Sequence, residues 1–251
     1  MSYGFGPGGI TPAVKILIVS NVAVFVLSQI VPQAWADMIT FRLGLMPAAV
    51  FGTGALWQTM TYMFLHASVG HILINMLSLW MFGTELERTW GTRFFTKYYF
   101  VTGVGAAAAT LLLSILPWSG AESVYGSVTI GASGAIYGLL LAYGLYFPNR
   151  PIFLYLIFPI PAKYFVMIIG AIAFLSSLGG PGGGVAHSAH LGGLVVGYLY
   201  LKGLRARPLD ELKYRWLRWR MGRARSRFDV YSGGRQSADD SWKREWKKHI
   251  H

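Results

Sequence analysis

Ser133 stands in the apolar, glycine-rich run Gly131-Ala132-Ser133-Gly134-Ala135-Ile136-Tyr137-Gly138. His190 stands in a second such run, Ala189-His190-Leu191-Gly192-Gly193. A serine hydroxyl is a weak nucleophile until an adjacent base, such as an imidazole, takes its proton. Both runs read as membrane-spanning helices, where an ionisable side chain is costly and marks a functional site by default. The chemistry expected is nucleophilic catalysis inside a bilayer by a Ser133–His190 dyad. No Asp or Glu lies in any span at that depth, so no acidic third member is expected.

Two further polar residues share a helix face. His71 and Asn75 are four residues apart, hence one turn apart. Acyl transfer develops an oxyanion, which prepositioned donors stabilise. The Asn75 amide, the His71 imidazole and the Ser133 backbone N–H are the donors expected. Tyr137 follows Ser133 by one turn, where its ring can pack on His190 and orient it. Gly134 and Gly138, and Gly193 and Gly197, form G-x-x-x-G pairs that allow close helix approach, and Gly131 is counted with these packing glycines. The hydrolase elbow G-x-S-x-G does not apply, because position 135 is alanine and no strand precedes the serine. His66 and His187 read as interfacial, with His66 at a cavity mouth. No cofactor and no metal are expected: there is no cysteine and no H-E-x-x-H pattern.

These residues need helices to hold them. The chain has 251 residues, 54% hydrophobic and only 13% charged. Soluble domains carry about 25% charged residues, so the composition points to a polytopic membrane protein. The fold expected is all-α, a bundle of six transmembrane helices at 13–31, 60–82, 96–116, 130–147, 163–179 and 186–203. Each run approaches the roughly 20 apolar residues that cross a bilayer. None alternates apolar and polar as a barrel strand does. Residues 1–12 read as a flexible N-terminus without the basic region of a signal peptide.

Charge orients the bundle. Lys15, Arg88, Arg93, Lys97, Arg150, Lys163, Lys202, Arg205 and Arg207 flank one set of connections; the opposite set holds only Arg42, Asp37 and Glu122. The positive-inside rule places both termini in the cytoplasm. Span two then enters from the outer side, and spans four and six run inward from it. Ser133, His190, His71 and Asn75 therefore fall at one depth, near the outer face. The protein is expected to be integral and multi-pass, in the cell membrane if prokaryotic.

Three connections carry signals of their own. Residues 32–59 are too apolar to be merely solvated and are expected half-buried at the outer interface. The glycine-rich 179–185 segment is expected to be mobile, because glycine and proline cannot hold a helix. The link 148–161, with four prolines around an aromatic run, reads as a cytoplasmic interfacial segment. Glu85-Leu86-Glu87-Arg88 reads as a structural charge cluster tied to Arg93 or the loop backbone. Residues 204–251 carry fifteen Lys/Arg against six Asp/Glu from position 201 on, most of the net charge of +12. Leu209, Leu212, Trp216 and Trp219 alternate with basic residues there, as in an amphipathic helix drawn to anionic lipid. Anionic lipid is preferred over nucleic acid as the partner of this tail.

Gly131-x-Ser133-Gly134-x-x-x-Gly138, Ala189-His190-x-x-Gly193-x-x-x-Gly197 and His71-x-x-x-Asn75 together resemble the signature motifs of the rhomboid intramembrane serine proteases. The resemblance covers 13–203, a six-helix membrane protease core. It implies that Ser133 is the nucleophile, His190 the general base, and that His71 and Asn75 serve the oxyanion site. It further implies an outward-opening cavity capped by a loop like 179–185, and a substrate gate between spans two and five. Its substrates would be transmembrane or membrane-proximal segments of other proteins, with small residues near the cut. Many members carry a Trp-Arg pair in the first outer loop; this loop has none. The alternative is a non-catalytic rhomboid-like module for membrane-protein binding or quality control. A proton-relaying transporter is disfavoured by the lack of inverted repeats.

Overall fold

A computed structural model describes residues 8–154, 158–178 and 184–206. The expectations for the first seven residues, for 179–183 and for the tail from 207 lie outside the described residues. So does most of the segment read as a flexible N-terminus.

The chain enters through α1 (Pro12–Ile30), with proline at its first position, where no N–H is needed. Ala13, Leu17, Asn21 and Phe25 recur every fourth residue and are buried, while Ile16, Val19, Leu27 and Ile30 are exposed. A helix apolar on its outward side too is one that faces lipid. Three short helices follow: α2 (Gln33–Leu43), α3 (Pro47–Thr53) and α4 (Gln58–Thr61), the last tightening into a 3₁₀ turn through Phe64. Gln58 organises this segment. It is 2% exposed, its Oε1 accepts from the Met46 N–H at 3.0 Å, and its Nε2 donates to the Phe41 carbonyl at 3.1 Å.

Span two differs from its expected range of 60–82. Ser68 caps a new helix, its hydroxyl oxygen accepting from the His71 N–H at 3.2 Å. From there α5 (Val69–Ser78), a π turn at Leu79–Gly83 and α6 (Thr84–Trp90) form one rod of 22 residues. The cap, not the hydropathy, sets the start, so His66 falls in the preceding loop. The Glu85–Arg88 cluster is likewise helical, and it is tied to backbone, the second of the two expected partners: the Arg88 guanidinium donates to the Gly9 carbonyl ahead of α1. Glu87 accepts from the N–H groups of Ala13 and Val14, each at 3.0 Å, and from the hydroxyls of Thr11 and Thr92. It thus caps α1 from another helix. Glu85 pairs with Arg150.

The central helix is α7 (Thr92–Ile115). Beyond it come α8 (Ala121–Gly126), α9 (Ser133–Tyr146), α10 (Ala162–Leu178) and α11 (Gly184–Ala206). Tyr98, fully buried on α7, donates its hydroxyl to the Gly138 carbonyl at 2.9 Å; Tyr62 does the same to Gly103 at 2.8 Å. The core lies where α7 and α9 cross, with Phe95, Tyr99, Ala135 and Leu139 fully buried.

The all-α expectation needs one correction. The link 148–161 contains an antiparallel hairpin, β1 (Pro151–Leu154) and β2 (Phe158–Pro161), pairing Pro151 with Pro161 and Leu154 with Phe158. Prolines bar a helix here but sit readily at the ends of edge strands.

Among the described residues, three helices, Pro12–Ile30, Val69–Trp90 and Thr92–Ile115, are long and apolar enough to cross a membrane. Helices also cover the other three expected spans. Of these, α9 has only 14 residues, about 21 Å, which is short of the bilayer core. It starts late because residues up to 132 are held otherwise: Thr129 bridges Leu45, and the Gly131 N–H donates to the Tyr62 carbonyl at 2.9 Å.

Candidate active site

Ser133 is the first residue of α9. The first N–H groups of a helix have no intrahelical partner, so both its hydroxyl and its amide stand at the open end of the helix. Gly131, two residues earlier, precedes the helix instead of packing within it. Its φ is +121°, and a Cβ there would lie 2.8 Å from His71 Nε2. Only glycine lets the chain turn in this way beside the imidazole.

The α11 helix crosses α9 at close range. A Cβ on Gly193 would stand 1.9 Å from the Gly134 carbonyl oxygen, and one on Gly197 3.3 Å from the Gly138 Cα. A Cβ on Gly134 would press on Ala106, and one on Gly138 on Thr102, both of α7. This approach sets His190, one turn before Gly193, against the start of α9. His190 Nε2 and Ser133 Oγ lie 2.8 Å apart. Tyr137 stacks on the His190 ring at 4.1 Å between centroids and 5° between planes. The other ring nitrogen of His190, Nδ1, has no hydrogen-bond partner.

The remaining expected residues come from α5. His71 sits in its first turn and Asn75 one turn below. Asn75 is 4% exposed and donates one amide hydrogen to the His71 carbonyl at 2.8 Å. An asparagine amide carries two hydrogens, so one remains. Ser133, His190, His71, Asn75 and Tyr137 together line one cavity of about 350 Å³. Apart from Ser78, its remaining walls are apolar and include Phe82 from the π turn and Phe165 and Ile169 from α10. Sequence reading missed these three. Each looks like any other apolar residue of a span, and only the packing of α5, α9 and α10 gathers them.

The other histidines pair with the site at its edges. The His66 ring meets His71 edge-on at 4.9 Å, and His187 meets His190 at 5.7 Å. His66 is buried, at 7% exposure, and not at an open mouth. Among the described residues no three of His, Asp or Glu are grouped to hold a metal ion.

The arrangement places a nucleophile, a base within hydrogen-bond reach and several donors beside one apolar cavity. That is the layout of acyl transfer by a serine. The family model described as the Rhomboid domain matches residues 53–207. The chain is 30% identical over 200 residues to "Rhomboid protease AarA" of Providencia stuartii, covering 73% of this chain and 69% of that one. It is 30% identical over 191 residues to "Rhomboid protein 1, mitochondrial" of Saccharomyces cerevisiae, covering 72% and 49%. It is 31% identical over 152 residues to "Rhomboid protease GluP" of Bacillus subtilis, covering 60% and 26%. The chain spans about half the length of the mitochondrial relatives it matches in yeast and Arabidopsis thaliana. By the family model and the Providencia relative alike, this chain belongs to the rhomboid family.

Proposed function

We propose that the chain is an intramembrane serine endopeptidase that cleaves transmembrane or membrane-proximal segments of other membrane proteins. The observation that carries this reading is the 2.8 Å approach of Ser133 Oγ to His190 Nε2 beside the cavity. Relatives named as rhomboid proteases support it.

In this mechanism Ser133 Oγ attacks the scissile carbonyl carbon while its proton passes to His190 Nε2. The oxyanion that forms is met by the Ser133 N–H, the free Asn75 amide hydrogen and His71. His190 then gives its proton to the departing amine as the C–N bond breaks. Water, deprotonated by His190, hydrolyses the acyl-serine and restores the hydroxyl. Tyr137 keeps the imidazole plane in place through these transfers. A substrate helix must unwind locally, because a helix hydrogen-bonds its own carbonyls. It enters between the rod of α5 and its π turn on one side and α10 on the other, where Phe82, Phe165 and Ile169 face the cavity. The bundle spans the bilayer six times with both termini in the cytoplasm, and the site opens to the outer side.

The test uses the full chain purified in detergent with a labelled single-span substrate, beside Ser133→Ala and His190→Ala. Wild type should release a product that both variants fail to make. Equal cleavage by Ser133→Ala, or none by wild type across many substrates, refutes the assignment.

A further inference from the structure

A second cavity, of about 590 Å³, lies away from Ser133 in the segment between α1 and α5. Phe41 and Arg42 at the end of α2, Met46, Thr53 and Trp57 line it, with Gln58 at its base. Its shape is held by hydrogen bonds. Trp57 Nε1 donates to the Arg42 carbonyl at 2.9 Å, Gln58 Nε2 reaches the Phe41 and Arg42 carbonyls, and the Thr61 hydroxyl donates to Leu43 at 2.6 Å. Around it Trp35, Phe41, Phe51, Leu56 and Trp57 are each about half exposed or more.

The charge at this place is unusual for the molecule. Arg42 is the only Lys or Arg between Lys15 and Arg88. The other connections at this end of the helices, 116–132 and 179–183, contain none. Lys15, Arg88, Arg93, Lys97, Arg150 and Lys163 all belong to the opposite end. Arg42 enters no ion pair among the described residues. In a bilayer, a guanidinium beside exposed aromatics such as Trp35 and Trp57 suits the level of lipid phosphates, since Trp favours the headgroup level. Its planar fork matches a phosphate and stays charged at any working pH.

We propose that this cavity binds one anionic glycerophospholipid. Its phosphate rests on the Arg42 guanidinium, and its acyl chains run along Phe41, Met46 and Trp57 over the exposed apolar faces. The site requires that the chain lie in a bilayer, not that it cleave, and the test reads binding alone.

The full chain is reconstituted with a phosphatidylglycerol carrying a diazirine near the glycerol. After illumination, the labelled peptides are mapped by mass spectrometry. Label is expected within 35–60 and should fall about tenfold in Arg42→Gln, with partial retention in Arg42→Lys. Label elsewhere in the chain should be unchanged and serves as the internal reference. Arg42 is exposed, so these variants should fold, which an unshifted Tm confirms. Phosphatidylcholine bearing the same diazirine should label 35–60 several-fold less. Equal labelling in Arg42→Gln, or by phosphatidylcholine, overturns the proposal. So does loss of label on adding equimolar inorganic phosphate, which would mark an adventitious small-anion site.

Discussion

The rod Val69–Trp90 carries a polar cluster at each end, and the two are built on opposite principles. At one end Glu87 is saturated: two helix-terminal N–H groups and two threonine hydroxyls all point at its carboxylate. At the other end, about 18 Å away along the axis, Asn75 spends one amide hydrogen on its own helix. His71 receives only a 3.4 Å contact from the Ala67 N–H, and His190 Nδ1 is unpartnered. These groups line a cavity. A buried polar cluster with every bond made rigidifies a fold, whereas one with capacity left over invites a ligand. On that physical ground the first cluster is structural and the second is proposed as catalytic.

The comparison breaks most sharply at the serine. Ser133→Ala should lower cleavage by at least roughly a thousandfold with no loss of Tm, and His190→Ala by a similar factor. The double variant should be no worse than either single one, because the two act as a unit. Additive losses in single-turnover assays would show that they do not.

Gly193→Ala probes the approach that joins the two helices. Its Cβ would collide with the Gly134 carbonyl, so α11 must move. The expected cost is on the order of 1–3 kcal/mol of stability and roughly a hundredfold of rate. An unshifted melting curve would mean that the helices are not in this contact.

Glu87→Gln sharpens the contrast from the other end. It should cost about 2–3 kcal/mol, since bonds to a charged acceptor are the strong ones. Cleavage per folded molecule should stay close to wild type. A selective loss of turnover at full stability would move Glu87 out of the structural class.

The smallest effect is expected at Tyr137. Tyr137→Phe keeps the stacked ring and should change the rate by less than about twofold, whereas Tyr137→Leu removes a contact of roughly 1 kcal/mol and should slow it several-fold. Equal rates for the two would show that the stack on His190 does no positioning.

Much of this was legible in the chain. The apolar runs, the glycine spacings and the sided distribution of Lys and Arg are local properties, and they indicated membrane helices and the few polar residues out of place among them. The family follows from the same motifs. Other features were not local. Hydropathy carried span two back to residue 60, because Met60, Met63, Phe64 and Leu65 are as apolar as the residues of a membrane helix. Ser68 as a cap, which starts the helix at Val69, is a backbone event that hydropathy does not register. Three of the four partners of Glu87 were unreadable because Thr11, Ala13 and Val14 lie more than seventy residues away. Gly131 looked like one more packing glycine, and only its positive φ beside His71 separates it from Gly134.

By itself the sequence determined which side chains have chemistry to offer and that they are carried on apolar helices, since residue type and periodicity are fixed along the chain. Tertiary structure alone decided the distances. Ser133 and His190 are 57 residues apart, and no local rule brings an imidazole within 2.8 Å of a hydroxyl. That follows from two helix backbones packed so closely that even one methyl group at Gly193 would not fit.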